Sequence, residues 1–180
     1  VIQPADWEEA VQATKALANY FGPAYIRLGR QKLSGIYDSS YNFQIGKASI
    51  VREGSDVVIF ATGSLVQESL LAADLMQSKS ISTTVVNIST LKPLDEALII
   101  RESKKHMAVI TAEDHNIIGG LGDAICQVLT NNQIALPFKS IAVGDRFAET
   151  GSGSELYEKY GLSSTHIIEA IKNVFSKKTI

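Results

Sequence analysis

From residue 48 onward, short apolar runs alternate with segments that have helical spacing. The apolar runs predict strands over 48–51, 57–61, 82–88, 107–111 and 140–143. The periodic segments predict helices over 64–76, 95–101, 120–129, 154–160 and 163–175. Strands separated by helices are typical of a three-layer α/β fold with an open, mainly parallel sheet. The turn Glu53-Gly54-Ser55 predicts a hairpin between the first two strands, and therefore one antiparallel edge strand.

The first 47 residues follow a different pattern. Helical spacing predicts a helix from Asp6 to Tyr20 with Asp6 as its N-cap, and an apolar run predicts a strand from Tyr25 to Leu28. Because one helix and one strand cannot make a sheet, we interpret 1–35 as the tail of a second α/β domain, severed from a larger protein. Residues 36–47 have no clean period but contain aromatic side chains, which indicates an ordered linker across both domains.

Composition excludes several classes of function. The 180 residues are 45% hydrophobic and 20% charged, which is typical of a globular protein. A net charge of −2 gives no basic stripe for nucleic acid. No apolar run approaches the roughly 20 residues needed to cross a bilayer. The single cysteine, Cys126, predicts a buried thiol in a reducing compartment. We therefore expect a cytoplasmic protein with neither nucleic-acid nor membrane partners.

Arg30 is the first candidate for ligand binding. It follows the apolar run 25–28 and neighbours Gly29. A guanidinium binds two phosphate oxygens at once, and an adjacent glycine lets a ligand approach the backbone closely. A surface ion pair is the alternative reading of Arg30. Arg27 lies inside the predicted strand and has no comparable claim as a ligand.

Glu113, Asp114 and His115 come where the strand 107–111 is predicted to end, and a glycine-rich turn follows them. The carboxyl ends of parallel strands are where α/β proteins bind ligands. However, three sequence neighbours point in different directions, and no second cluster completes a metal site. A structural role, in helix capping or contact with a partner subunit, is therefore favoured over catalysis. The glycines do not fit the dinucleotide fingerprint, because Ile125 occupies a position that requires a small residue.

The remaining polar candidates favour structural roles. Arg146 and Glu149, in the glycine-rich loop 145–153, are predicted to form a local ion pair. His106 and His166 are isolated in the sequence, so both are interpreted as surface or packing residues.

Several motifs taken together resemble the carboxyl-terminal part of a transketolase. They occur in the family's order and span nearly the whole chain. They are Pro4-Ala-Asp6, Gly22-Pro23 followed by Arg30, Phe43-Gln-Ile-Gly46, Lys92-Pro-Leu-Asp95, Glu113-Asp-His115, Gly119-Gly120 and Asp145-Arg-Phe147. The resemblance implies the end of a pyrimidine-binding middle domain over 1–35, a linker over 36–47 and a complete third domain over 48–180.

The resemblance also implies an activity. Transketolases of the pentose phosphate pathway are dimers that use thiamine diphosphate and Mg²⁺ to transfer a two-carbon ketol unit from a ketose phosphate to an aldose phosphate. The cofactor motifs of that family are absent from this sequence. We therefore expect the cofactor ligands to lie in a missing amino-terminal portion or subunit, and the chain alone to be inactive. The complete assembly is expected to be a homodimer.

Only one site residue is carried over from the family. Arg30 matches the arginine that binds the substrate phosphate; Gln31 agrees with the pattern, whereas Gly29 stands where the family usually has serine. The resemblance assigns no catalytic, cofactor or metal ligand to this chain. The third domain of such enzymes is associated mainly with subunit packing.

Three alternatives remain open. A deoxyxylulose phosphate synthase and the beta chain of a ketoacid dehydrogenase share the plan of the third domain. The sequence Gly29-Arg30-Gln31-Lys32-Leu33 fits transketolase better. A non-catalytic α/β module that binds a nucleotide or another protein is an alternative of a different class.

Overall fold

The computed structural model describes residues 1–31 and 33–176. Within them, helices and strands follow one another as α1 Trp7–Ala18, β1 Ser49–Arg52, β2 Val57–Ala61, α2 Leu65–Gln77, β3 Thr83–Asn87, α3 Glu96–Lys105, β4 Ala108–Asn116, α4 Leu121–Asn131, β5 Phe138–Val143, α5 Gly153–Lys159 and α6 Ser164–Ser176. None of the helices in these residues is both long and apolar enough to cross a membrane.

The five strands form one sheet in the order β1-β3-β2-β4-β5. The pairs β2/β3, β2/β4 and β4/β5 are parallel, whereas β1 is antiparallel to β3 at one edge. This confirms the predicted α/β fold, with a mainly parallel sheet and one antiparallel edge strand.

Helices cover both faces of the sheet. Along β2, Val57, Ile59 and Ala61 pack in one core with α2 and α6. The alternate residues Val58 and Phe60 pack in a second core with α3 and α4. Because both faces of the central strand are buried, β2 is apolar at every position, as expected for a parallel strand between two helical layers.

The predicted hairpin is wrong. Strand β1 does not pair with β2; it pairs with β3, with Ser49 opposite Asn87. The turn at Gly54 instead crosses the start of β3, where the Thr84 hydroxyl accepts from Gly54 N at 2.8 Å and donates to Gly54 O at 3.0 Å. Because β2 forms parallel pairs with β3 and β4, it has no free edge for β1.

Two further boundaries differ from the prediction. Strand β4 extends through Glu113 to Asn116, because Asn116 pairs with Val143 beyond a register shift. The segment 25–28 does not form a strand; Ile26 makes an isolated parallel bridge with Ile2. Ile2 is its strand neighbour among the described residues.

Helix α1 is joined tightly to the sheet domain. Asp6 caps the helix as predicted, with Oδ1 accepting from Glu9 N at 2.9 Å. Its other oxygen accepts from Ile36 N at 2.7 Å and from Tyr37 N at 2.8 Å, which fixes the start of the linker. The ring of Tyr37 stacks on Tyr41 with centroids 3.7 Å apart. These contacts hold the aromatic side chains of Tyr37 and Tyr41 together beside the start of α1.

The buried carboxyl of Glu9 connects this linker to β3. Glu9 Oε2 accepts from Ala5 N and from Asn87 Nδ2, each at 2.8 Å, and Oε1 accepts from Tyr41 OH at 2.7 Å. Burial raises the pKa of Glu9 above its ordinary value, against the opposing effect of these hydrogen bonds.

Candidate functional site

A cleft of about 610 Å³ opens at the carboxyl edge of the sheet. Its walls come from five parts of the chain: Gln3-Pro4, residues 27–31 with Leu33, the turn Gly63-Ser64 after β2, Asp114 in β4, and residues 151–153 with Leu156 and Tyr157. The strand order changes direction between β2 and β4, since β3 lies on one side of β2 and β4 on the other. Such a reversal is where open α/β sheets form ligand crevices.

Asp114 is the central polar group of this cleft. Its Oδ1 accepts from Gln3 Nε2 at 2.8 Å and pairs with Arg27 Nη1. Its Oδ2 accepts from Tyr157 OH at 3.3 Å. One carboxylate therefore joins the N-terminal segment, the segment before Arg30 and helix α5.

Tyr157 extends the network to the other wall. Its hydroxyl contacts Ser64 Oγ at the start of α2 as well as Asp114. Burial, together with the negative charge of Asp114, raises the pKa of Tyr157 to about 12. The phenol therefore stays protonated at neutral pH and acts as a hydrogen-bond donor to the carboxylate.

The first residues of the chain lie at the carboxyl ends of β2 and β4. Gln3 N donates to Ser89 O at 2.8 Å, and its side chain crosses Gly63 to reach Asp114. A Cβ atom on Gly63 would lie 2.4 Å from Gln3 Nε2, and Gly63 has φ +57°. Position 63 therefore requires glycine for both space and conformation.

Arg30 lies exposed on the wall of this cleft. Among residues 1–31 and 33–176 it has no hydrogen-bond or ion-pair partner, so the alternative reading of Arg30 as half of a surface ion pair finds no support there. Its neighbour Gln31 packs on the opposite wall, since a Cβ on Gly153 would lie 2.4 Å from Gln31 Nε2. Lys32, part of the motif that favoured transketolase, lies outside the described residues.

Glu113 and His115 lie beside a second cleft of about 400 Å³, whose wall also includes Arg27. Glu113 is buried and caps α4, with its carboxylate accepting from Leu121 N at 2.7 Å and Gly122 N at 2.9 Å. Burial raises the pKa of Glu113 above its ordinary value. His115 is exposed, with Nδ1 3.1 Å from Asn116 O. The three neighbours thus diverge, as expected, and Glu113 has the predicted capping role.

The predicted ion pair between Arg146 and Glu149 is wrong. Glu149 pairs with Lys159 at 2.7 Å, and Arg146 lies over the ring of Tyr160 at 4.7 Å. These partners, Lys159 and Tyr160, lie at the end of helix α5, which follows the loop.

The other isolated polar residues have packing roles, with one correction. His106 is buried and contacts the Thr84 hydroxyl at 2.8 Å, and His166 contacts Ser163 Oγ at 2.8 Å. Cys126 is half-buried rather than buried, because it lies on the side of α4 between the core and solvent. Burial and the charge of Asp123 raise the pKa of its thiol.

Sequence reasoning missed most of the network around Asp114. No sequence pattern marks Gln3 or Tyr157 as a site residue, and the apolar run 25–28 places Arg27 inside a predicted strand. Arg27 and Asp114 are separated by 87 positions, so periodicity cannot pair them. One available signal was that Arg27 and Asp114 carry opposite charges near the carboxyl ends of predicted strands.

Comparison with known proteins places this geometry in a family. The model of the transketolase C-terminal domain matches residues 46–167. The chain belongs to the transketolase family.

Individual relatives of the chain agree with this assignment. Over 178 residues it is 39% identical to the 6-deoxy-6-sulfo-D-fructose transketolase subunit SqwH of Clostridium sp. (strain MSTE9), covering 99% of the chain and 55% of the relative. Over 173 residues it is 37% identical to 1-deoxy-D-xylulose-5-phosphate synthase of Caldanaerobacter subterraneus subsp. tengcongensis, covering 95% of the chain and 28% of that enzyme. This member of the transketolase family thus spans about half of the first relative.

A solved structure supports the same fold. It is described as a split-gene transketolase, inactive beta4 tetramer, and superposes with a TM-score of 0.92 at 34% identity. The match covers 97% of the chain and 57% of that structure. Relatives of the chain therefore include transketolases made of separate subunits.

Proposed function

We propose that the chain is the carboxyl-terminal portion of a transketolase, which transfers a two-carbon ketol unit between sugar phosphates. The family match and the similarity to a transketolase subunit support this assignment. In this proposal, 1–35 is the tail of the middle domain, 36–47 is the linker and 48–180 is the third domain. The observation that carries the proposed contribution to the reaction is Arg30, which is exposed in the 610 Å³ cleft and has no ion-pair partner within residues 1–31 and 33–176.

Arg30 is assigned to the phosphate of the sugar substrate. A guanidinium remains charged at neutral pH and binds two phosphate oxygens through parallel hydrogen bonds. The cleft is within the size range of sites for small ligands. Arg27, the neighbouring cation, is already paired with Asp114. This leaves Arg30 as the unpaired cation among the described residues of the cleft wall.

The cofactor is assigned to a partner portion of the enzyme. The transketolase and deoxyxylulose phosphate synthase families are thiamine-dependent in general. Within residues 1–31 and 33–176, however, no group of three His, Cys, Asp or Glu side chains is placed to hold a metal ion. In this proposal, the cofactor ligands therefore lie in the partner portion, as the resemblance to transketolase implies.

Exposed apolar side chains support a partner portion that packs on the N-terminal segment. Trp7 is 64% exposed and Phe21 is fully exposed, and smaller exposed fractions belong to Val1, Val11, Tyr20, Tyr25 and Leu28. Side chains of this size are normally buried in a domain or interface. We propose that the remainder of the enzyme covers them, and that the complete assembly is a homodimer of such units. The inactive assembly of the split-gene relative is consistent with a fragment that is inactive alone.

Reconstitution tests this function. Ketol transfer from xylulose 5-phosphate to ribose 5-phosphate is measured with thiamine diphosphate and Mg²⁺, for the chain alone and for the chain combined with its amino-terminal portion. Activity only in the combined sample is expected. Absence of transfer in the combined sample, with cofactor bound, would overturn the transketolase assignment.

The role of Arg30 is tested in the reconstituted enzyme with Arg30→Ala. The variant is expected to raise KM for phosphorylated substrates about tenfold or more, while the Kd of thiamine diphosphate stays unchanged. Arg101→Ala is the matched control: Arg101 lies on α3 away from the cleft, and its partner Glu102 retains Lys105. Equal loss of cofactor and substrate affinity in Arg30→Ala would contradict the phosphate assignment.

Two relatives suggest variants of this function. Similarity to the sulfo-fructose transketolase subunit favours testing 6-deoxy-6-sulfo-D-fructose as donor, because sulfonate, like phosphate, is a tetrahedral oxyanion that arginine binds. Similarity to deoxyxylulose phosphate synthase favours testing for formation of 1-deoxy-D-xylulose 5-phosphate. If the reconstituted enzyme catalyses either of these reactions faster than ketol transfer between sugar phosphates, the proposed substrate changes accordingly.

A further inference from the structure

We propose that Asp114 is a positioning residue for Arg30 and acts through Arg27. This inference rests on the proposed role of Arg30 in phosphate binding. It gives Asp114 a function apart from the helix cap made by Glu113, its neighbour in the sequence.

The segment that carries Arg30 has few anchors of its own. Arg27 N donates to Ile2 O at 2.9 Å, and the next anchored amide is Ser34 N, which donates to Gln67 Oε1 at 3.2 Å. Between these two anchors, the described residues make no backbone hydrogen bond. The side chain of Arg27 is therefore the last charged anchor before Arg30, three positions further along the chain.

Asp114 provides a rigid attachment for that anchor. It belongs to β4, just beyond the residues that pair with β2 and within the register shift between Ala112 and Asn116, so its side-chain contacts hold it. Gln3 and Tyr157 hold its two oxygens from different sides, so the carboxylate has little freedom to follow a moving arginine. The side chains of Arg27 and Asp114 are 37% and 21% exposed, so solvent screens this pair less than a fully exposed one.

The Arg27–Asp114 pair also determines which arginine of the cleft is free to bind a ligand. Both Arg27 and Arg30 line the cleft, and Asp114 neutralises Arg27. If Asp114 lost its charge, the side chain of Arg27 would be released. The segment 28–31 would then keep only the backbone bond of Arg27 to Ile2 and the packing of Gln31 against Gly153, and Arg30 would spend less time in the geometry that binds phosphate. Binding of a charged group is sensitive to such misplacement.

The test uses the reconstituted enzyme with Asp114→Asn, Arg27→Gln and the double variant. Asp114→Asn is expected to raise KM for the phosphorylated donor about tenfold, with kcat changed less than about twofold. Arg27→Gln is expected to do the same, and the double variant to be no worse than the poorer single variant, because both changes break one interaction. Asp74→Asn, which breaks the remote pair between Arg52 and Asp74, is the matched control and should leave KM unchanged.

Hydrogen exchange provides a second readout that does not depend on activity. In Asp114→Asn, peptides covering 28–31 are expected to exchange faster, while β4 and α4 keep their protection. A merely structural role would instead increase exchange in β4 and lower kcat together with substrate affinity.

The outcomes separate this inference from the proposed function. If Arg30→Ala raises KM but Asp114→Asn does not, Arg30 binds phosphate and the positioning role is wrong. If neither variant changes KM in an active enzyme, the phosphate assignment itself fails, and the positioning role fails with it. Faster exchange throughout β4 would also overturn the positioning role.

Discussion

A Cβ atom built on Gly120 would lie 2.2 Å from Oε2 of Glu113. The carboxylate occupies this position because it accepts from the amides of Leu121 and Gly122 at the start of α4. Glycine at 120 thus lets a strand carboxylate cap the helix that follows it. Since Glu113 is buried, it cannot move into solvent to make room for a larger residue.

Gly120→Ala is expected to lower the free energy of unfolding by at least about 2 kcal/mol, because the new methyl group displaces Glu113 from its two amide donors. Urea unfolding followed by circular dichroism measures the change. Gly144→Ala is the control, since a Cβ there meets nothing within 4 Å. Its expected change is within about 0.5 kcal/mol. Equal effects of the two variants would contradict the displacement of Glu113.

Substitution of Gly63 is expected to lower stability through two separable effects. Gly63→Ala is expected to destabilise the chain by about 2 kcal/mol or more, because alanine there combines an unfavourable positive φ with a clash against Gln3. Thermal and urea unfolding measure the total effect.

Removing the side chain of Gln3 separates the effect of the positive φ from the effect of the clash. In a Gln3→Ala background, Gly63→Ala is expected to cost only the conformational part, about 1 kcal/mol. Gly63→Ala should therefore lower the free energy of unfolding less in the Gln3→Ala background than in the parent protein. An unchanged cost would mean that the side chain of Gln3 does not limit the residue at 63.

The sequence predicts the sheet domain well because its signals are local. Apolar runs and helical spacing identify the elements, and the chain order of strands and helices then implies a parallel sheet. The pairing of β1 with β3 is different, since it depends on which edge of β2 is already occupied. A turn such as 53–55 suggests a hairpin, but the contact of Gly54 with Thr84 is made by a strand that follows 30 residues later.

The candidate site is less predictable from the sequence, because its contacts join residues that are far apart in the chain. Arg30 could be proposed from its type and its glycine neighbour. The network that surrounds it joins residues 3, 27, 64, 114 and 157, and no periodic pattern connects them. Glu113 shows the opposite case: a carboxylate a few residues before a glycine-rich helix start predicts a helix cap or a subunit contact, and Glu113 caps α4.

The buried carboxyl of Glu9 predicts a specific pH dependence. Its pKa is raised in the folded state above the ordinary value of 4.5, so folding favours the protonated form. The stability that this preference contributes is therefore fully present below about pH 4.5 and is lost as pH rises through the folded pKa.

Glu9→Gln removes this titration. We expect the free energy of unfolding of the parent, minus that of the variant, to fall as pH rises above about 4.5 and then to level off. Urea unfolding of both proteins between pH 4 and 8 measures this difference. Because both proteins contain the other carboxyl groups, the titration of those groups cancels in the difference. A difference that rises with pH would mean that the hydrogen bonds from Ala5, Asn87 and Tyr41 outweigh burial.

The hydroxyl of Tyr157 is expected to couple the stabilities of the two cleft walls. Tyr157→Phe keeps the ring but removes the hydroxyl that contacts Ser64 and donates to Asp114, so the free energy of unfolding should fall by about 1 kcal/mol. If both contacts act through one network, combining Tyr157→Phe with Asp114→Asn should cost less than the sum of the single variants. Urea unfolding of the four proteins in this cycle measures the coupling. Strict additivity would mean that Tyr157 and Asp114 stabilise the cleft independently, and the carboxylate would then be held by Gln3 and Arg27 alone.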